Sequence, residues 1–131
     1  MVNRVEGSFQ VTSWNEDVVE GLEGTVKVTR ASIGQRFSGG IDADTIADMV
    51  MTYRDDGTAD FAGYQRVVGR VGDREGTFVL QGLGQFDGAE ARTRLEVVRG
   101  SGTGALAGLR GSGLAAAPLG STGTYHLEYE L

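Results

Sequence analysis

The only histidine of the chain, His126, stands two residues before Glu128 in the terminal run TYHLEYEL. In an extended strand, residues i and i+2 share a face, so His126, Glu128 and Glu130 fall on one side and Tyr125, Leu127 and Tyr129 on the other. A carboxylate beside an imidazole raises its pKa, as acid–base chemistry sometimes requires. A polar outer face on a last strand accounts for the same letters without chemistry. Two glutamines raise a sharper question. Gln65, in FAGYQRV, shares its face with Phe61, Gly63 and Val67, while Gln81, in TFVLQG, shares its face with Thr77 and Val79. A buried amide left unpaired costs about 1–3 kcal/mol, so an inward amide needs either a structural hydrogen-bond network or a ligand carbonyl. With Arg94 as a further polar handle, Gln65, Arg94 and His126 are the catalytic candidates.

Other chemistries fail on composition or context. With no cysteine there is no thiolate nucleophile, disulfide or zinc-thiolate site, and one histidine cannot build a multi-histidine metal cage. No metal or other cofactor is expected. Lys27 is the single lysine, so a Schiff base would have to form there. Asp42, Asp44 and Asp48 resemble a fragment of a calcium loop, but Ala47 stands where its glycine belongs and the closing glutamate is missing. They read as an acidic strand face or turn. Ser101, Ser112 and Ser121 lack a nucleophile-elbow context. Gly102, Gly104 and Ala107 match the loose spelling of a dinucleotide loop. However, Gly108, Gly111 and Gly113 would break the helix such a loop must open, and too little chain follows for a βαβ unit. The stretch reads as a structural turn followed by a short strand.

The elements that position these residues are strands. RVEGSFQVTSW alternates around Phe9 and Val11, and GTVKVTRASIGQRF around Val26, Val28, Ile33 and Phe37. ADTIADMVMTY meets the turn at Asp56-Gly57, read as a two-residue hairpin with positive φ at both positions. TADFAGYQRVVGRV, TFVLQGLGQF, ARTRLEVV and TYHLEYEL follow, with turns at VGDREG and DGAE. Only NEDVVEGLE offers a helical turn. The chain of 131 residues holds 22 glycines and one proline, and several runs exceed the usual strand length of about 5–6 residues. Long strands with internal glycines suit a strongly curved sheet that closes on itself. The expected fold is all-β, an antiparallel up-and-down barrel of about eight strands forming a single domain over residues 1–131.

Three stretches carry a family resemblance: TRASIGQRFSGGI, YRDDGTADFAGYQRVVGRVGDREGTFVLQGLGQFDG and VVRGSGTGALAGLRGSG. With Ser13-Trp14 and Glu16, they make the sequence similar to the DUF3224 family of small bacterial proteins along nearly its whole length. That family resembles the allene oxide cyclase-like, calycin-like barrels, which include the plant dirigent proteins. The dirigent glycine signature falls here at Ser101-Gly102-Thr103-Gly104 and Leu109-Arg110-Gly111. The resemblance implies a barrel seam in which Thr103 and Arg110 tie down a turn. It carries over no catalytic set: where the family has Glu-Arg, this chain has Gln65-Arg66.

Three functions fit. One is a cofactor-independent isomerase or cyclase that confines a reactive apolar intermediate in its lumen. Another is a non-catalytic carrier or sensor of an apolar small molecule; the third is a structural barrel with a filled interior. Wall candidates are Trp14, Met49, Met51, Tyr53, Phe61 and Phe78, with Gln81 as a further ligand contact. The net charge of −6 and the scattered arginines argue against nucleic acid as a partner. No apolar run approaches the ~18 residues of a membrane span, and MVNRVEGSFQ lacks a secretory apolar region. A cytoplasmic homo-oligomer is expected.

Overall fold

A computed structural model describes residues 2–19 and 27–131. Eight antiparallel strands close into one barrel in chain order: β1 (Asn3–Val18), β2 (Lys27–Gly39), β3 (Ile41–Tyr53), β4 (Ala59–Val71), β5 (Arg74–Phe86), β6 (Glu90–Val97), β7 (Arg110–Pro118) and β8 (Gly123–Glu130). Pairing of β1 with β8, from Asn3↔Tyr129 to Phe9↔Gly123, completes the ring. The fold is the expected up-and-down barrel. No helix among the described residues is long and apolar enough to cross a membrane.

One end is packed shut. Phe9, Phe37, Ile41, Val71, Phe78, Leu80 and Leu127 meet there, with Phe9 and Phe37 stacked at 5.3 Å between ring centroids. The glycine-rich stretch is the plug of this end. Its backbone makes a 3₁₀ turn at Gly104–Leu106, and Leu106 and Leu109 point into the core with no more than 1% of their surface exposed. Thr103 fastens the plug to β5: its Oγ1 accepts from the Thr77 amide at 3.1 Å and lies 2.6 Å from the Thr77 hydroxyl. Ser101 accepts from the Val79 amide at 3.0 Å and donates to the Val98 carbonyl at 2.6 Å. Arg110, expected to tie the same turn, is exposed and forms no side-chain hydrogen bond among the described residues. At the β2–β3 corner, Gly39 adopts φ 99°, open to glycine almost alone. Tyr125 holds that corner, accepting from the Ile41 amide at 2.7 Å and facing the Ser38 and Ile41 carbonyls at 2.9 and 3.0 Å.

Several local expectations are corrected. Asn15–Val18, read as the start of a helical turn, continues β1, and residues 20–23 of that reading lie outside the described residues. The inner face of β2 keeps one phase, Thr29, Ala31, Ile33 and Phe37, because the small Thr29 and Ala31 fit the interior. Val28 therefore points outward, and Val26 is outside the described residues. The β3–β4 hairpin has a three-residue loop: the Gly57 amide donates to the Arg54 carbonyl at 3.1 Å, and the Arg54 amide to the Thr58 carbonyl at 2.8 Å. Only Gly57 has positive φ, 88°, so the loop is a type I turn with a glycine bulge. Asp56 caps it instead, accepting from the Thr58 amide at 2.9 Å.

The irregularity that matters most lies in β1. Val11 pairs with Gln35 but Ser13 pairs with Gly34, leaving Thr12 as an extra residue. Such a bulge reverses which face the rest of the strand presents. Phe9 and Val11 face inward before it, and Trp14 and Glu16, opposite Ile33 and Ala31, face inward after it. Gly34 across from it leaves room for both hydroxyls, since a Cβ there would lie 2.4 Å from Ser13 Oγ and 2.8 Å from Thr12 Oγ1 and would push them aside.

Candidate functional site

The other end of the barrel is an open cup. A cavity of about 350 Å³ runs down from the mouth, walled by Ile33, Met49, Met51 and Phe61 and rimmed by Val11, Trp14, Tyr53 and Leu119. Its shape follows from residue size. Ala47, Ala59, Ala91, Ala115 and Ala117 line it, and glycines on β4 and β5 let larger side chains lie flat. A Cβ on Gly84 would sit 2.4 Å from the Phe61 ring. No charged side chain among the described residues lines the cavity.

The floor is polar. Gln65 is only 4% exposed and donates through Nε2 to Gln35 Oε1 at 2.7 Å and Thr45 Oγ1 at 2.8 Å. Thr45 in turn donates to the Gln35 carbonyl at 3.0 Å. Each amide keeps one group without a protein partner among the described residues: Gln65 Oε1, an acceptor, and Gln35 Nε2, a donor. No buried side-chain polar atom among those residues lacks a partner, so both groups must reach the accessible space of the cup.

The mouth carries a second polar cluster, centred on Glu16. Its Oε1 accepts from Trp14 Nε1 at 2.9 Å, and its Oε2 accepts from the Thr29 and Tyr53 hydroxyls, both at 2.6 Å. Lys27 Nζ stands 4.9 Å from the Tyr53 ring centroid. Partial burial pushes the Glu16 carboxyl upward, but hydrogen bonds from Thr29, Tyr53 and Trp14 and the charge of Lys27 outweigh it, leaving the pKa below the ordinary 4.5. Tyr53 is pushed up to about 12 by burial, then by its hydrogen bond to Glu16 and that residue's negative charge. At neutral pH the pair is a carboxylate and a protonated phenol.

Six of the residues singled out from sequence meet in this cup: Trp14, Met49, Met51, Tyr53, Phe61 and Gln65. Phe78 faces inward but belongs to the packed end. Gln81 points outward, because the bulky Phe78 and Leu80 set the inner phase of β5. Arg94 is also outside, paired between Leu83 and Leu114, since Leu95 and Val97 take the interior of β6. His126 lies on the outer wall between Glu6 and Leu114, and its neighbour Glu128 accepts from Arg4 at 3.3 Å. The structure thus keeps Arg94, His126 and Gln81 apart from Gln65. Asp42, Asp44 and Asp48 form an outer acidic face paired with arginines, including Arg70–Asp42 at 3.1 Å and Arg66–Asp48 at 3.3 Å.

Sequence reasoning missed Gln35, Thr45 and the role of Glu16. Gln35 is in phase with Ile33 and Phe37, so its inward position was readable. Glu16 was hidden by the bulge.

A family model described as "Protein of unknown function (DUF3224)" matches residues 5–129. The chain belongs to the DUF3224 family. A crystal structure of a DUF3224-family protein of unknown function from Shewanella oneidensis MR-1 is similar to it at 28% identity and a TM-score of 0.85, covering 100% of this chain and 98% of that one. No curated protein matches the chain. What distinguishes this DUF3224 barrel as a candidate site is therefore its own geometry: a closed core below, an apolar cup above, and polar groups at two depths.

Proposed function

We propose that this DUF3224 protein binds an uncharged, largely apolar small molecule in the cup. One observation carries the reading: a cavity of about 350 Å³, open at the mouth and lined largely by apolar side chains, with a hydrogen-bonded amide pair at its floor. That volume lies within the roughly 300–1,000 Å³ of small-molecule sites, and apolar walls with a few fixed polar groups are their usual lining. A wider depression of about 590 Å³ on the outer wall, beside Arg30, Asp48 and Tyr64, is more open and encloses a ligand less. The test is binding of the neutral probe N-phenyl-1-naphthylamine, followed by its fluorescence, to the native protein and to Ala117→Phe, which fills the cup near its rim. Binding to the native protein and its loss in a folded Ala117→Phe variant are expected. Equal binding to both, or to neither, sinks the reading.

A second reading, a cofactor-independent isomerase or cyclase, is favoured by the Glu16–Tyr53 pair. An ionised carboxylate and a phenol 2.6 Å apart at the mouth could accept and donate protons to a molecule held in the cup. The resemblance of the sequence to allene oxide cyclase-like and dirigent barrels agrees with this reading. Under it, Glu16→Gln and Tyr53→Phe abolish turnover while ligand affinity survives; under the carrier reading there is no turnover to lose. A cytoplasmic homo-oligomer is also part of the proposal. Val50, Leu83 and Leu114, each about half-exposed on the outer wall, agree with subunit contacts there.

A further inference from the structure

The floor of the cup narrows the ligand class, and this step rests on the lumen-binding reading above. We infer that the floor recognises an uncharged group that both donates and accepts a hydrogen bond, of the carboxamide or lactam type. Gln65 Nε2 is held by Gln35 Oε1 at 2.7 Å and by Thr45 Oγ1 at 2.8 Å, so turning either amide breaks their mutual bond. Gln65 Oε1 is left as an acceptor and Gln35 Nε2 as a donor, both reaching the cup. A carboxamide or lactam supplies one donor and one acceptor on adjacent atoms and satisfies both.

Other head groups do worse. A carboxylate has no proton for Gln65 Oε1, and among the described residues no lysine, arginine or histidine lines the cup to neutralise it. A ketone satisfies Gln35 but sets its oxygen near the Gln65 acceptor. A hydrocarbon displaces water from both groups and replaces neither bond. A ligand seated in the cup covers the floor, where Gln65 is 4% exposed, so bulk water does not repair these mismatches. A site built to bond a polar group discriminates strongly against the analogue lacking it, so roughly ten- to a hundredfold preference is expected.

The experiment uses the full chain and three ligands of one shape: 2-naphthamide, methyl 2-naphthyl ketone and 2-naphthoate, titrated by calorimetry. The expected order is amide tightest, ketone at least tenfold weaker, and carboxylate weakest. In Gln65→Met, which keeps the length of the side chain, amide affinity falls to about that of the ketone. The series on the native protein stands even if that variant does not fold. If all three bind with similar affinity, or the carboxylate binds best, the floor assignment is overturned and the lumen reading survives. If none binds, the lumen reading fails and takes this inference with it.

Discussion

Deleting Thr12 tests the claim that a single extra residue reconciles two inward phases of β1. Phe9 and Val11 face inward before it and Trp14 and Glu16 after it, so its removal sets all four in one every-second-residue phase while Val11↔Gln35 and Trp14↔Ile33 stay paired. Neither half of the strand has to turn over. Turning the first half would expel Phe9, now 7% exposed and stacked on Phe37, at a cost of about 1.5–3 kcal/mol for that ring alone, and would break its register with β8. Turning the second half would take the Glu16 acceptor from the Thr29 hydroxyl, a residue only 1% exposed, costing roughly 1–3 kcal/mol. Both halves therefore keep their faces, and the bulge becomes a regular ladder. Trp14 is the only tryptophan, so its emission reports the outcome directly: wavelength and acrylamide quenching close to those of the native protein. Tyr53, still bonded to Glu16, should keep its raised pKa of about 12. A folded deletion variant whose tryptophan emission moves to longer wavelength and is more strongly quenched would refute the reasoning.

Two further outcomes follow from the same structure. Glu16 has a depressed folded pKa, so its hydrogen bonds contribute stability above the ordinary value of 4.5, and that contribution disappears as pH falls through the folded value. The stability difference between native protein and Glu16→Gln, measured by urea unfolding, should therefore be constant near neutral pH and shrink below 4.5; a constant difference down to acid pH would contradict the assignment. Tyr125→Phe leaves the buried Ile41 amide without its acceptor and should cost about 1–3 kcal/mol, seen as a melting temperature lower by several degrees; an unchanged melting temperature would remove Tyr125 from its role at the corner.

The barrel was legible because most strands carry a single apolar phase. In β3, Met49, Met51 and Tyr53 recur every second residue, and in β8 Tyr125 and Leu127 do so, and each faces inward. Where two phases compete, bulk decides. TFVLQGLGQF can be read through Thr77, Val79 and Gln81 or through Phe78, Leu80 and Gly82, and the larger pair takes the core. The same rule puts Arg94 outside once Leu95 and Val97 are inside. The Glu16 cluster followed no such rule. Its position depends on one unpaired residue, Thr12, and on a glycine across the ladder, Gly34, and neither has an alternation signature.

The open cup is itself a consequence of residue choice, and that choice bears on function. Five alanines line the cavity on β3, β4, β6 and β7, while at the packed end inner positions of these and neighbouring strands carry Phe37, Ile41, Val71, Leu80 and Val97. Each added buried methylene is worth about 0.8 kcal/mol where space exists to hold it. Leucine or valine at several of those alanines would shrink the void and close the barrel as its other end is closed. The chain forgoes that stabilisation and sets at the boundary a locked amide pair with one donor and one acceptor left over. A barrel serving only as a scaffold would gain from apolar packing at Gln65 and needs no partner for its oxygen. Small walls and a directional polar floor together are the arrangement expected of a site kept open for a ligand.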